Sequence, residues 1–174
     1  MRVGKPILIA AAIAGFSYVA YPYVTLARLG AAMGSGDATT LEALVDWGHV
    51  REGIKEDICD DTADTADTGN ALRPFGFSFA RGVAANVVDA HVSPHGVLAA
   101  TRRYDPAVRT LDALAGVRWA FFDGSPTAFV AELQPPGDAA TEPVRVQLEL
   151  RGLDWKVTRV WLPHKLLMAA NDPS

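Results

Sequence analysis

An uncharged apolar segment near the start of the chain limits what this protein can fold into. From Ile7 to Leu26 there is no Asp, Glu, Lys, Arg or His. Because a helix rises about 1.5 Å per residue, a helix over this segment is as long as the hydrocarbon core of a bilayer is thick. The sequence therefore predicts an N-terminal membrane helix within residues 1–26, joined to a folded domain that follows it.

Basic residues before the apolar segment predict its orientation. Arg2 and Lys5 precede it, and basic residues are retained on the cytoplasmic side of a membrane. We therefore expect a single pass through the cytoplasmic (inner) membrane, with the N-terminus inside and the domain outside. A cleaved signal peptide, which would leave a secreted protein, is the alternative. We favour the uncleaved anchor, because cleavage after Ala20 would place bulky Tyr18 where a small residue is needed.

Three tyrosines mark the outer end of the apolar segment. Tyr18, Tyr21 and Tyr23 are predicted at the lipid headgroup level, which amphipathic rings prefer. Pro22 lies at the same boundary, where nearby water tolerates the backbone carbonyl that a helical proline frees. Further apolar residues with helical spacing predict that the helix continues into the domain and stops at Gly34-Ser35-Gly36.

The residues after the anchor predict one α+β domain over 27–163, followed by a tail over 164–174. Helical patterns come first, with starts at Asp37, Asp46, Pro74 and Ser93. In the helix after Asp46, the charged residues Arg51, Glu52 and Lys55 are expected to face solvent, and a low-complexity repeat over 62–68 predicts fraying or a loop. The helix after Pro74 is expected to face the core with Phe75, Phe79, Val83, Val87 and Val88. Four strand patterns follow, at Val117–Asp123, Thr127–Gln134, Val144–Arg151 and Trp155–Leu162. Short turns between them favour antiparallel hairpins. We expect several helices on one face of a four-stranded antiparallel sheet, an element order shared with cystatin-like and nuclear-transport-factor-2-like (NTF2-like) domains.

Short motifs, most of them in the helical part of the chain, resemble those of a bacterial family of unknown function, DUF2939. They are Tyr21-Pro22-Tyr23 with Leu26, Leu29 and Ala32, then Ser35-Gly36-Asp37, Leu41 to Asp46, Val50-Arg51-Glu52 with Lys55, Val92-Ser93-Pro94 with Gly96, and Leu162-Pro163 at the end of the last strand. The resemblance implies a small helix-then-sheet domain behind a membrane or secretion segment. It supplies no reaction and no catalytic residues.

Charge and cysteine content narrow the function classes. Setting aside Arg2 and Lys5 leaves 14 basic against 20 acidic residues, a net charge of −6, which argues against nucleic acid and anionic membrane surfaces as partners of the domain. Cys59 is the single cysteine, so there is no internal disulfide and no cysteine-based zinc site. No catalytic motif is recognisable. We expect no cofactor and a non-enzymatic interaction or binding module, with a protein of the cell envelope as partner.

Aromatic residues of the strands give the main argument for a ligand site. A cavity between helices and sheet could be lined by Trp119, Phe121, Phe129, Trp155 and Trp161. The same residues would equally fill a closed core. Small-ligand binding, of a lipid or metabolite, is therefore the alternative function.

Two further groups of polar residues are candidate sites. Spacing on a helix would gather Asp57, Asp60, Asp61 and Asp64 into an acidic contact face for a basic partner or calcium, with a merely solvated face as the alternative. The pair His91 and His95 has ligand spacing, but Ser93-Pro94 breaks the helix between them. We therefore expect no metal site and no catalytic residues.

Overall fold

A computed structural model of the chain describes residues 4–64, 82, 85–104, 117–134 and 143–161. Within these ranges five helices come first: α1 (Gly4–Ser35), α2 (Ala38–Leu44), α3 (Trp47–Asp64), α4 (described over 85–91) and α5 (Pro94–Tyr104). Four strands follow: β1 (Val117–Phe122), β2 (Ala128–Leu133), β3 (Val144–Arg151) and β4 (Asp154–Trp161). The predicted α+β class and the four strands are confirmed.

Helix α1 is one continuous helix with two different environments. From Ile7 to Val19 its side chains are exposed. From Pro22 onward it contributes buried residues to the domain, among them Leu26 and Ala32 at 2% and 3% exposure. The helix ends where Gly36 adopts a positive φ of 74°, which an L side chain rarely adopts. The predicted stop at Gly34-Ser35-Gly36 is confirmed.

Capping residues start the next helices as their types predict. The Asp37 carboxylate accepts hydrogen bonds from the backbone N–H groups of Thr39 and Thr40, both at 3.1 Å. Asp46 accepts one from the backbone N–H of His49 at 3.3 Å. Such bonds satisfy donors that the first turn of a helix leaves free. The segment between α2 and α3 also pairs with β4, since the Asp46 N–H donates to the Val157 carbonyl at 2.8 Å.

The sheet is an antiparallel meander in the order β1-β2-β3-β4. Its hairpin turns contain Gly124 and Gly152, both with positive φ. Phe129, Ala131 and Leu148 on the helix-facing side have no exposed surface. They pack in one core with residues of α1, α3 and α4, namely Leu26, Val50, Ile54 and Val88. A smaller core joins α1, α2 and α5 through Ala32, Leu41 and Leu98.

Two local expectations from the helical patterns need correction. Of the two valines expected on the core-facing side of the helix after Pro74, Val88 is buried, whereas Val87 is 51% exposed. The end of α3 was expected to fray within residues 62–68, but the helix continues to Asp64. The remainder of that repeat, and Phe75, Phe79 and Val83 of the predicted helix starting at Pro74, lie outside the described residues.

Candidate functional site

Three tyrosine side chains join α1 to the sheet, and we call this contact the tyrosine seam. The Tyr18 hydroxyl donates to the backbone carbonyl of Pro126 in the turn between β1 and β2. The Tyr21 hydroxyl donates to the Asp154 carboxylate at 3.0 Å, beside the turn between β3 and β4. The Tyr23 hydroxyl donates to the Ala120 carbonyl of β1 at 3.3 Å. The tyrosines expected at the headgroup level thus bond to the domain.

The bonding pattern of the seam fixes how the sheet is placed along α1. Tyr23 bonds to Ala120 of β1. Tyr18, which comes earlier in α1, bonds to Pro126, which comes later in the sheet. Strand β1 therefore runs antiparallel to α1, and the turn after it lies beside the C-terminal end of the exposed apolar half of α1. The β3–β4 turn is held at the same end of the sheet by Tyr21.

Ring packing reinforces the seam. The Tyr18 ring stacks on Phe122 with centroids 6.2 Å apart and meets Trp155 edge-on at 6.1 Å. The Tyr23 ring meets Phe129 edge-on at 5.0 Å. Aromatic pairs in these geometries add to the stabilisation from burial. Pro22, expected beside water, is among the fully buried residues, so this stretch of helix is packed against protein.

The five aromatic residues predicted to line a ligand cavity are divided between the two faces of the sheet. Phe129 and Trp155 lie on the helix-facing side, at 0% and 1% exposure, with ring centroids 6.4 Å apart. They belong to the main core. The structure therefore brings these two together beneath the helices, and the other three lie elsewhere.

The other three aromatic residues lie on the opposite face, which we call the outer face. Backbone pairing places Trp119, Glu132, Arg145 and Trp161 in one row across the four strands, and paired residues share a face. Trp119 also stacks on Phe121 at 5.0 Å. The guanidinium of Arg145 lies 5.4 Å from the Trp119 ring centre, and that of Arg159 lies 5.2 Å from the Trp161 ring centre. On the outer face Arg145 thus lies against the Trp119 ring, and at the β4 edge Arg159 lies against the Trp161 ring while it also contacts α3.

The predicted acidic face contains one residue with an internal partner. Asp57 forms an ion pair with Arg159 of β4 at 2.8 Å, and Glu56 approaches the same guanidinium at 3.5 Å. The backbone of Asp60, Asp61 and Asp64 is helical in α3, but their side chains lie outside the described part. Within the described ranges, no three His, Cys, Asp or Glu side chains cluster as metal ligands.

A polar cluster between α3 and α4 was missed by the sequence analysis. The Lys55 ammonium contacts Asp89 at 2.8 Å and Glu52 at 3.1 Å, and these hydrogen bonds raise the pKa of Lys55. Arg51 donates to the Val92 carbonyl at 3.3 Å. These residues were expected only to face solvent, yet they connect two helices. The spacing of Arg51 and Lys55, four residues apart on one helix face, was the available signal.

The fold and the seam together define a small α+β domain built onto an N-terminal apolar helix. Within the described ranges, α1 is the one helix that is long and apolar enough to cross a membrane, and an N-terminal signal sequence would meet the same description.

The chain belongs to the family described as "Protein of unknown function (DUF2939)", whose model matches residues 11–100. The match begins in the exposed half of α1 and ends within α5, so the resemblance noted in the sequence is confirmed. Comparison with curated proteins and with solved structures gave no match.

Proposed function

We propose that this protein is an inner-membrane-anchored bacterial domain that acts in the periplasm as a non-enzymatic interaction module. The observation that carries the proposal is the continuity of α1, whose first half is exposed and apolar and whose second half is part of the domain core. A domain that shares a helix with its anchor is held at a fixed height and orientation over the membrane.

Charge supports the proposed topology. Arg2 and Lys5 precede the apolar half, and such residues favour the cytoplasmic side. The domain on the other side carries the net charge of −6, so it would not adhere to the anionic membrane surface through charge alone. Under this proposal the helix remains attached, and the secreted form is the alternative.

We place the partner contact on the outer face of the sheet, with an envelope protein as partner. Phe121 is 50% exposed there and stacks on Trp119, while Arg145 lies over the Trp119 ring. Trp, Phe and Arg are enriched at protein interfaces and supply much of their binding energy. This surface has that composition, whereas Asp57 of the acidic face is already paired with Arg159.

The proposal is tested in native membranes with the full-length chain. A photo-crosslinking phenylalanine analogue at position 121 is expected to give one discrete protein adduct. The same analogue at Glu42, an exposed residue of α2, is the matched control and is expected to give none. Intact mass must show the whole chain, since loss of the first twenty or so residues would mean a signal peptide and not an anchor. Absence of an adduct at position 121 would remove the outer face as the contact.

Small-ligand binding between helices and sheet is a second candidate, and one observation favours it. Among the described residues, the buried Trp155 indole nitrogen and Thr158 hydroxyl have no hydrogen-bond partner, although buried polar groups are normally satisfied. A polar ligand group would satisfy them. Native mass spectrometry of the protein released gently from membranes would reveal such a ligand as a bound mass, and melting temperatures unchanged by a lipid and metabolite panel would argue against it.

A further inference from the structure

We infer that the sheet turns beside the tyrosine seam are seated in the outer interface of the bilayer, with Leu153 inserted among the lipids. The inference rests on the proposed anchoring of the chain by α1, and it adds a second membrane contact made by the folded domain itself. The occupant of this surface is the same bilayer that α1 crosses.

The first argument is the length of the exposed helix. The run of exposed residues from Ile7 to Val19 contains 13 residues, so it spans about 20 Å, against about 30 Å for the hydrocarbon core of a typical bilayer. Lys5 limits any extension toward the N-terminus, and tilting the helix would shorten its reach further. The membrane boundary therefore lies beyond Val19, at the level of the tyrosine seam where the sheet turns meet α1.

The second argument is the surface of α1 at that level. Val19, Tyr23 and Val24 remain 51%, 36% and 50% exposed although neighbouring residues are buried. The first charged residue after Lys5 is Arg28. The side of the helix that the sheet leaves uncovered is thus uncharged for two more turns beyond Val19, as a helix within the membrane boundary requires.

The third argument is the β3–β4 turn. Leu153 is 87% exposed, more than any other large hydrophobic side chain within the described ranges. Its neighbour Asp154 bonds to Tyr21 at 3.0 Å, two residues along α1 from Val19. An exposed leucine at the tip of a turn contributes nothing in water, whereas at the boundary between headgroups and acyl chains its burial is favourable. The turn therefore places an apolar side chain at the depth where the bilayer ends.

The test uses the full-length protein in phosphatidylethanolamine–phosphatidylglycerol vesicles. Cys59→Ser removes the native thiol, and Leu153→Cys is labelled with an environment-sensitive nitrobenzoxadiazole dye. Lipids with a spin label near the headgroup are expected to reduce the dye emission about twofold, since an interfacial side chain lies at the boundary between headgroups and acyl chains, beside such labels. The matched control, Glu42→Cys in the same background, is at an exposed position of α2 and is expected to keep its emission.

The outcomes separate this inference from the anchoring on which it rests. If the protein floats with the vesicles but position 153 is not quenched, the anchor stands and the inference falls. Equal quenching at positions 153 and 42 would also overturn it, because the domain would then lie on the membrane without the orientation set by the seam. If the protein does not float with vesicles at all, the proposed anchoring fails as well.

Discussion

Gly96 lies in the first turn of α5, directly beside the end of α4. A Cβ atom at this position would overlap the backbone carbonyl of His91, and backbone cannot rotate aside as a side chain can. We predict that Gly96→Ala lowers the free energy of unfolding by about 2 kcal/mol, as other overpacked sites do. Urea denaturation of the detergent-solubilised protein, followed by tryptophan fluorescence, would measure the change.

Gly48 in α3 provides the matched control for Gly96. The nearest atom to a Cβ there is a carboxylate oxygen of Asp46 at 3.5 Å, an ordinary contact. Because alanine favours helix over glycine by up to about 1 kcal/mol, Gly48→Ala is expected to leave stability unchanged or raise it. If Gly96→Ala and Gly48→Ala change the free energy of unfolding alike, α4 and α5 do not approach each other closely at Gly96.

Asp57 gives a second prediction at the scale of single residues. Its ion pair with Arg159 is partly buried, with side chains 24% and 34% exposed, and Glu56 is a more exposed partner of the same arginine at 3.5 Å. We predict that Asp57→Asn lowers the free energy of unfolding by about 1 kcal/mol, and Glu56→Gln by less than half of that. Chemical denaturation of both variants compares them directly. Equal stability of Asp57→Asn and the wild type would show that the ion pair does not stabilise the fold. Asp57 would then again be a candidate contact residue of the acidic face.

At the scale of elements, the start of α2 depends on the charge of Asp37. Hydrogen bonds from the Thr40 hydroxyl and from the backbone N–H groups of Thr40 and Thr39 hold the pKa of this carboxyl below its usual value of 3.8. A carboxyl with a lowered folded-state pKa stabilises the fold above its unfolded pKa, and this contribution is lost as the pH falls through the folded-state pKa. The cap should therefore weaken in acid below the usual carboxyl range.

We predict that Asp37→Ala lowers the melting temperature by a few degrees at neutral pH, because the cap is lost. Asp37→Asn is the matched control: it caps almost as well, so it should melt close to the wild type at neutral pH. Both variants should also lose part of the fall in melting temperature that the wild type shows below about pH 4. Thermal melts followed by circular dichroism across this pH range decide the matter. A wild-type pH profile in Asp37→Asn would exclude Asp37 as the titrating group.

Elements set by local sequence were predicted well. The caps Asp37, Asp46 and Ser93 act on backbone groups two or three residues away, so their residue type is enough to place them. The strands were predicted within a residue or two for the same reason, since alternation and turn residues lie in the same short window. Prediction failed for Val87, which is exposed while the adjacent Val88 faces the core, because a shift of one residue decides which side chain is buried.

The candidate site could be predicted only in part, because its contacts are long-range. Tyr21 and Asp154 are 133 residues apart in the chain, and no local pattern reports such a pair. The aromatic residues of the strands were identified, but alternation does not say which face of a sheet the helices cover. Trp119 and Phe129 were therefore assigned to one cavity, although they lie on opposite faces.

At the scale of the whole molecule, α1 couples its exposed apolar half to the fold. Its second half supplies Leu26 to the main core and Ala32 to the smaller one, and the seam ties its middle to both sheet turns. A bend or rotation of the helix at this point would have to break these contacts together. The domain is thus oriented by the same residues that stabilise it, which is the physical basis of the proposed fixed presentation over the membrane.

This coupling predicts different outcomes for two truncations of α1. A chain that begins at Ala20 keeps Leu26 and Ala32, so we expect a soluble domain that still unfolds cooperatively. A chain that begins at Gly36 loses both buried residues. Loss of a large buried side chain such as Leu26 costs about 2–5 kcal/mol, and this chain loses the whole buried face of α1; since a typical domain has only about 5–15 kcal/mol of stability, the shorter chain should not fold. Near-ultraviolet circular dichroism and urea titration of the two chains distinguish these outcomes.

Leu26→Ala in the longer chain is the control: it should reduce stability without abolishing the fold. Cooperative unfolding of the chain that begins at Gly36 would show that α1 serves only as an anchor.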